Sequence, residues 1–425
     1  MTILLTIFYF LLFLGGLVNN RIFAIALPIF TFVFPKQLTT LAFGDANLST
    51  IFLLICGVKL LFVNYRKYTQ CQMAWTKVVL LYFGIVYIGT QIWSLFFIDY
   101  SEYINTFKSI IDGLLCMFAL LTMINIIIDQ NRREYLLIGL IVTVLLESIV
   151  AIGLLNNFDT FSMFYSGLEF NSIDEYFRAT GTFNGPWALG GFLGISIVLL
   201  LFIFGSSKIN KIGRVLIMAC ALTALYVLIL TESRAGWLLL SISLLILMLR
   251  GSRVVMKGIV VSVVLGIIAV NYFLDWETIS LLITHRVEYT YNNSVTGGVD
   301  ASTMTRFYIW EKVLNNYNPL YLFTGYGIRN AYNVFGSTTH NTYLSLFIYS
   351  GLIGCAIIFK MILYARRLST KSTKNVKKFL TAIFIGICAY GLSADLLYDI
   401  RVFTFALCTF SILLISDNNI KGVKE

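Results

Sequence analysis

The 425-residue chain is 58% hydrophobic and only 12% charged, with a mean hydropathy of +0.84, a balance that excludes a soluble globular domain. Its net charge of +10 sits in short patches between apolar runs rather than in a continuous stripe. That pattern argues against a nucleic-acid partner and for basic residues that orient a multi-pass chain in a membrane.

The first apolar run, Ile3 to Val18, has no preceding basic residue and no small-residue cleavage site, so it reads as a retained span. Residues 22–42 form either a second span, with Arg21 inside, or a re-entrant piece interrupted by Pro28 and Pro35. Beyond them, apolar periods predict helices over 48–64, 76–98, 106–128, 135–155, 186–205, 212–231, 234–250, 254–274, 342–365, 378–393 and 396–415. The expected fold class is therefore an all-α polytopic membrane protein with 12 or 13 crossings.

Basic breaks at Arg66/Lys67, Arg132/Arg133, Lys208/Lys211/Arg214, Arg250/Arg253/Lys257, Arg366 to Lys378 and Lys421/Lys424 alternate with neutral or acidic ones, which puts the former in the cytoplasm. The expected organisation is amino-terminal spans at 1–155, a first outward loop at 156–185, central spans at 186–274, a large outward loop at 275–341, and carboxy-terminal spans with a cytoplasmic tail at 342–425. Long loops in a chain otherwise joined by tight turns carry function more often than the turns do. The larger loop is rich in aromatics from Trp276 to Phe335, has helical spacing from Ser302 to Asn315, and turns at Asn318-Pro319 and around Gly325 and Gly327.

Chemistry-bearing residues gather at the expected outer boundary. Of two histidines, His285 and His340, the second stands just before an apolar run, where a positive helix end disfavours the imidazolium and leaves a neutral base; the alternative is that Thr339, His340 and Asn341 only cap the helix. Arg234 opens a span on the side opposite most span-flanking basic residues, and serves either an anion or a structural contact with Glu232 or a phospholipid. Arg306 begins the helical part of the large loop and has the fork geometry that phosphate oxygens accept, if it is not merely solvated. Arg178, in the first outward loop with Gly181 and Gly185 nearby to allow close backbone approach, is a further candidate anion contact, and Asp395 a candidate for orienting His340 or an acceptor hydroxyl. Asp399 with Arg401 reads as a structural ion pair, while Glu147 and Asp112 lie in helices without an evident role. Metal-ligand spacing, a Walker loop, a dinucleotide fingerprint and a nucleophile elbow are all missing from the sequence.

Four separated motifs then occur in one order: Thr180-Gly181-Thr182-Phe183-Asn184-Gly185-Pro186; Leu230-Thr231-Glu232-Ser233-Arg234-Ala235-Gly236; Thr305-Arg306 ahead of Trp310; and Thr339-His340-Asn341-Thr342-Tyr343-Leu344 with Tyr349-Ser350-Gly351-Leu352-Ile353-Gly354. Together they resemble the O-antigen ligase and O-antigen polymerase superfamily of bacterial envelope enzymes, from about Phe177 to Asp395. The resemblance implies a glycosyltransferase of the inner membrane, active on its periplasmic face in lipopolysaccharide or related polysaccharide biosynthesis. It implies a glycan donor on undecaprenyl pyrophosphate, inversion at the anomeric carbon, and neither metal nor cofactor. Arg234 and Arg306 would clamp the pyrophosphate and His340 would activate the acceptor hydroxyl, with Arg178 and Asp395 as supporting residues.

Polymerase and ligase share that donor and differ in acceptor, a lipid-linked repeat unit or lipid A-core. Richness in Ile, Phe, Asn, Lys and Tyr, residues with A/T-rich codons, favours the polymerase, for which a chain-length regulator is an expected partner beside the lipid-linked oligosaccharide and the membrane lipids. A flippase for the same lipid-linked unit is the third reading, disfavoured because the candidate residues collect at one face rather than at mid-membrane.

Overall fold

Apolar runs closed by polar caps become helices throughout the computed structural model, which describes residues 2–33, 47–63, 68–96, 102–161, 164, 178–206, 209–252, 256, 301–336 and 338–421. The predicted span 254–274 apart from Met256, residues 162–163, 165–177, 275–300 and 337 of the two long loops including His285, and the basic residues Arg66, Lys67, Lys208, Arg253, Lys257 and Lys424 lie outside the described residues. Among the described residues every regular element is helical. In chain order these are α1 (Thr2–Val18), α2 (Asn20–Phe32), α3 (Leu48–Leu61), α4 (Gln70–Leu81), α5 (Thr90–Ser94), α6 (Tyr103–Ile128), α7 (Gln130–Asn156), α8 (Phe158–Phe161), α9 (Pro186–Phe204), α10 (Lys211–Leu230), α11 (Arg234–Leu249), α12 (Ala301–Asn316), α13 (Ile328–Phe335), α14 (Thr342–Lys371), α15 (Lys374–Gly391) and α16 (Ile400–Lys421).

The all-α polytopic class holds: six described helices are long and apolar enough to cross a bilayer by length and composition, and five shorter apolar ones join them. At the amino terminus the chain forms two helices hinged at Asn19, whose side chain caps α2. With 13 residues, α2 is about 20 Å long, short of the roughly 30 Å of hydrocarbon a full crossing requires; the rest of the predicted stretch, 34–42 with Pro35, lies outside the described residues. Arg21 lies 5.3 Å from the Tyr135 ring near the start of α7, which puts the hinge at the end of the bundle that carries Arg132.

Two departures from regular helix were invisible in the hydropathy pattern. Between α4 and α5 the chain widens into a π-helical segment, Tyr82–Gly89. In α14 the backbone breaks at Gly351 (φ 57°, ψ −158°). The break frees two carbonyls and two amides inside an apolar bundle, where each needs a partner. Residues Leu322 to Gly327 supply all four: Tyr326 and Gly327 donate to the carbonyls of Ile348 and Tyr349 at 2.7 and 2.9 Å, while Leu352 and Ile353 donate to the carbonyls of Leu322 and Phe323 at 2.9 and 3.1 Å. Gly325, at φ +69°, lets this wedge enter, since a Cβ there would meet Ser350 N at 2.3 Å. The predicted Gly325/Gly327 turn is thus an insertion into a broken helix, and α12 matches the helix predicted from Ser302 to Asn315 within a residue at each end.

Helix α9 is buried along nearly its whole length and forms the bundle's centre, crossing α11 where Gly190 meets Gly236; a Cβ on Gly236 would lie 2.8 Å from the Gly190 carbonyl.

Candidate functional site

Two non-glycine residues among those described take a left-handed φ, Glu232 at 48° and His340 at 50°. Each borders one of the candidate residues or is one itself, and such conformations persist only where surrounding contacts over-determine them. The contacts around both turns satisfy that condition.

Around His340, the helix-capping work is done by its neighbour. Asn341 accepts from the amides of Tyr343 and Leu344 at 3.0 Å each, the N-cap arrangement for α14. Thr339 is the brace: its carbonyl accepts from Trp310 Nε1 at 2.8 Å, and its hydroxyl donates to the Asn341 carbonyl at 3.0 Å and lies 2.5 Å from Ser345 Oγ. The cap-only reading therefore accounts for Asn341 and Thr339 but leaves the half-buried His340 ring unexplained, with Nε2 3.5 Å from Thr338 Oγ1. Burial and the positive charge of Arg306 push its pKa down to about 4, so the imidazole is neutral at physiological pH.

That electrostatic coupling brings Arg306 and His340 together. Arg306 lies one turn before Trp310 on α12, on the same face, and the Trp310 bond to Thr339 fixes this face against the His340 turn. Ile309 and Val313, buried at 3% and 2% exposure, lie three and seven residues after Arg306 and seat the same side of α12, and Lys312 Nζ donates to the Phe335 carbonyl at 3.1 Å.

Arg234 is the first residue of α11 and its side chain is exposed. Ser233 caps the helix by accepting from the Gly236 amide at 3.2 Å, and Thr231 Oγ1 accepts from the Ser233 amide at 3.1 Å. Arg178 donates to the carbonyls of Thr231 and Glu232 at 3.0 and 3.1 Å. The sequence left Arg178 as a candidate anion contact; its position makes it the brace of the turn that presents Arg234. From there the connection to His340 runs through the ends of two helices: α11 meets α9 at Gly190, Tyr390 of α15 donates to the Trp187 carbonyl at 2.9 Å, and Asn341 and Thr342 donate to the carbonyls of Leu392 and Ala394 at 3.3 and 2.8 Å. All three candidate residues share one end of the bundle.

Asp395 is buried and accepts from Ser345 Oγ at 2.5 Å, Tyr349 Oη at 2.7 Å and the amides of Leu397 and Tyr398 at 3.0 and 3.2 Å. Burial raises its pKa, and these four donors act in the opposite sense. It reaches His340 through Ser345 and Thr339, so it orders the turn rather than touching the imidazole. Ser345 and Tyr349 were not singled out in the sequence, although both fall in or beside the quoted motif.

Glu147 and Arg401 explain the Thr180-to-Pro186 motif. Glu147, fully buried, accepts from the Thr182 amide at 2.7 Å and hydroxyl at 2.9 Å, the same hydroxyl reaching the Phe32 carbonyl at 3.0 Å. Arg401 pairs with Asp399 at 3.4 Å, as expected of that pair, and donates to the Thr182 carbonyl at 2.9 Å. A buried ionisable group in a span was the available signal for this anchor.

Residues 219–359 match the family model described as O-antigen ligase. The matched segment contains Arg234, Arg306 and His340, begins after Arg178 and ends before Asp395. No curated protein matches the chain.

Proposed function

We propose, on the premise that the chain belongs to the O-antigen polymerase and ligase superfamily through residues 219–359, that it is a polysaccharide polymerase. It transfers a glycan from undecaprenyl pyrophosphate to a hydroxyl of a lipid-linked repeat unit on the periplasmic face of the inner membrane. The observation that carries glycan transfer is the Trp310 bond to Thr339, which holds the α12 face bearing Arg306 against the turn of a neutral His340 imidazole. One group suits a departing diphosphate, and the other can take a proton.

The hydroxyl oxygen of the acceptor attacks the anomeric carbon as its proton passes to His340, while the anomeric C–O bond breaks and the electron pair leaves with the carrier diphosphate. Arg306 and Arg234 stabilise the negative charge that grows on that diphosphate, the role preorganised donors serve where charge develops. A ring held near a pKa of 4 is a weak base, and arrival of the diphosphate beside Arg306 offsets the charge that depresses it. Donor binding thereby arms the base, an order of events that limits proton uptake before the donor is in place. Inversion follows from a single displacement.

Replacing His340 tests the reading in a deletion strain. Asn tolerates the left-handed φ of this position, so His340→Asn separates loss of the imidazole from loss of the turn, which His340→Ala does not. A polymerase predicts surface glycan limited to one repeat with protein at normal abundance; full-length glycan from His340→Asn would overturn the mechanism. The family description itself favours a second reading, ligase, under which the same variant leaves bare lipid A-core and polymer retained on its carrier.

A further inference from the structure

At the end of the bundle that holds His340, a cavity of about 440 Å³ lies between the ends of α2, α3, α6, α13 and α16. Its volume falls within the roughly 300–1,000 Å³ range of small-ligand sites. We propose that it is a binding subsite for a neutral pyranose residue of the glycan acceptor, a proposal that rests on the glycan-transfer reading above.

The lining matches the chemistry of a sugar. Charged groups of both signs line it: Asp399 pairs with Arg401 at 3.4 Å, the lining residue Arg329 pairs with Glu102 at 3.3 Å, and Lys108 and Asp112 stand one helical turn apart on α6. Such pairs keep donors and acceptors available to hydroxyls without selecting a charged ligand. Tyr332 and Tyr398 stand at the wall with ring centroids 6.4 Å apart and planes 32° from each other, offering apolar faces to the C–H side of a pyranose. The same reading gives Asp112, unexplained in the sequence, a place: it lines the cavity as an exposed residue of α6.

One atom asks for a ligand. Asn184 lines the cavity, and its Oδ1 is buried with no hydrogen-bond partner. Unpaired buried acceptors are uncommon enough to need a reason, and a ligand hydroxyl donating to this oxygen supplies one. The loop carrying Asn184 is rigidly placed beforehand, because Glu147 and Arg401 hold Thr182 by its amide, hydroxyl and carbonyl. The cavity also communicates with the turn at His340: Tyr398 presents its ring to the cavity and its amide to Asp395, which connects through Ser345 to Thr339. A sugar bound here would be linked to the His340 turn through this hydrogen-bond chain and would not displace Arg234 or Arg306, neither of which lines the cavity.

The test uses the full chain in nanodiscs and, as probe, delipidated oligosaccharide released by mild acid from the host strain's own lipid-linked repeat units. Wild type and His340→Asn bind it saturably and alike, whereas Tyr332→Ala and Asn184→Leu each weaken binding by about tenfold or more. Tyr332 is exposed, so its replacement leaves folding intact, and Tyr332→Phe, which keeps the ring face, retains binding. Equal affinity in Tyr332→Ala and wild type, or no saturable binding by wild type while His340→Asn still truncates the glycan in cells, overturns the subsite and leaves the transfer reading standing. Full-length glycan from His340→Asn removes the transfer reading whatever the binding result.

Discussion

Replacing Gly325 with Ala isolates the wedge that holds the Gly351 break open. Gly325 sits at φ +69°, and a left-handed conformation costs an L-residue about 1–2 kcal/mol. The new Cβ would also meet Ser350 N at 2.3 Å, Tyr349 C at 2.4 Å and Tyr349 O at 2.5 Å, all backbone atoms with no side-chain freedom to yield. The wedge must therefore withdraw, which breaks four backbone hydrogen bonds. If the freed groups stayed dry and unpaired, the cost would be about 1–3 kcal/mol each. They have another outlet, however: in a continuous helix Leu352 would donate to Ile348 and Ile353 to Tyr349, the same four groups paired among themselves. The expected product is thus a straightened α14 in a folded protein, with Leu322 to Gly327 released. Hydrogen exchange in nanodiscs reads this directly, as accelerated exchange at the Tyr326 and Gly327 amides by about tenfold for each 1.4 kcal/mol, together with shortened surface glycan, because the wedge connects α12 to the His340 turn. Wild-type exchange at those amides alongside full-length glycan would refute the account of the break.

On the proposed mechanism, kcat/KM for the donor in proteoliposomes should hold from neutral pH down to about 4 and fall below it, because it reports the donor-free enzyme, in which burial and Arg306 lower the pKa of His340. An acid limb at the ordinary histidine value near 6.5 would contradict that environment. The linkage has the same sign: the folded state binds fewer protons than the unfolded one below about 6.5, so this residue's contribution to stability is complete above that pH and is lost progressively down to about 4. Glu147→Ala strands the buried amide of Thr182, whose hydroxyl keeps the Phe32 carbonyl, and should cost about 1–3 kcal/mol of stability, whereas Glu147→Gln can still accept from the amide and should cost less; equal thermal inactivation of the two variants would show that the anchor is not hydrogen bonding.

Hydropathy alone located most of the bundle, because a span's identity depends on the summed transfer energy of some twenty residues and tolerates error at any one. The interior irregularities escaped it for the same reason. Tyr82–Gly89 and the Gly351 break are apolar like their surroundings, and differ only in where their backbone bonds go. Helix α13 escaped because it is short and amphipathic, with Ile328, Ala331 and Phe335 buried on one face, and so shows no long apolar run. At the site, residue type marked His340, Arg306 and Arg234, since cations and imidazoles are costly near a bilayer. Their supports were less visible: Ser345, Tyr349 and Trp310 act through hydrogen bonds set by tertiary contacts across 50, 46 and 29 residues, Ser345 meeting Thr339 as well.

The two left-handed residues also explain how the site can be both strained and precise. Glu232 and His340 occupy turns that a straight chain would leave, yet the carbonyls of the first turn are held by Arg178, and the second is held through Thr339 by Trp310 and Ser345. Each support comes from a different part of the chain, so no local rearrangement relaxes either turn by itself. Charge developing on a leaving diphosphate is stabilised best by groups that need not move to meet it. A loop arginine that had to be ordered at each turnover would spend part of its interaction on that ordering, whereas Arg234, set at the start of a capped helix, and Arg306, fixed by its neighbour Trp310, have been ordered by folding.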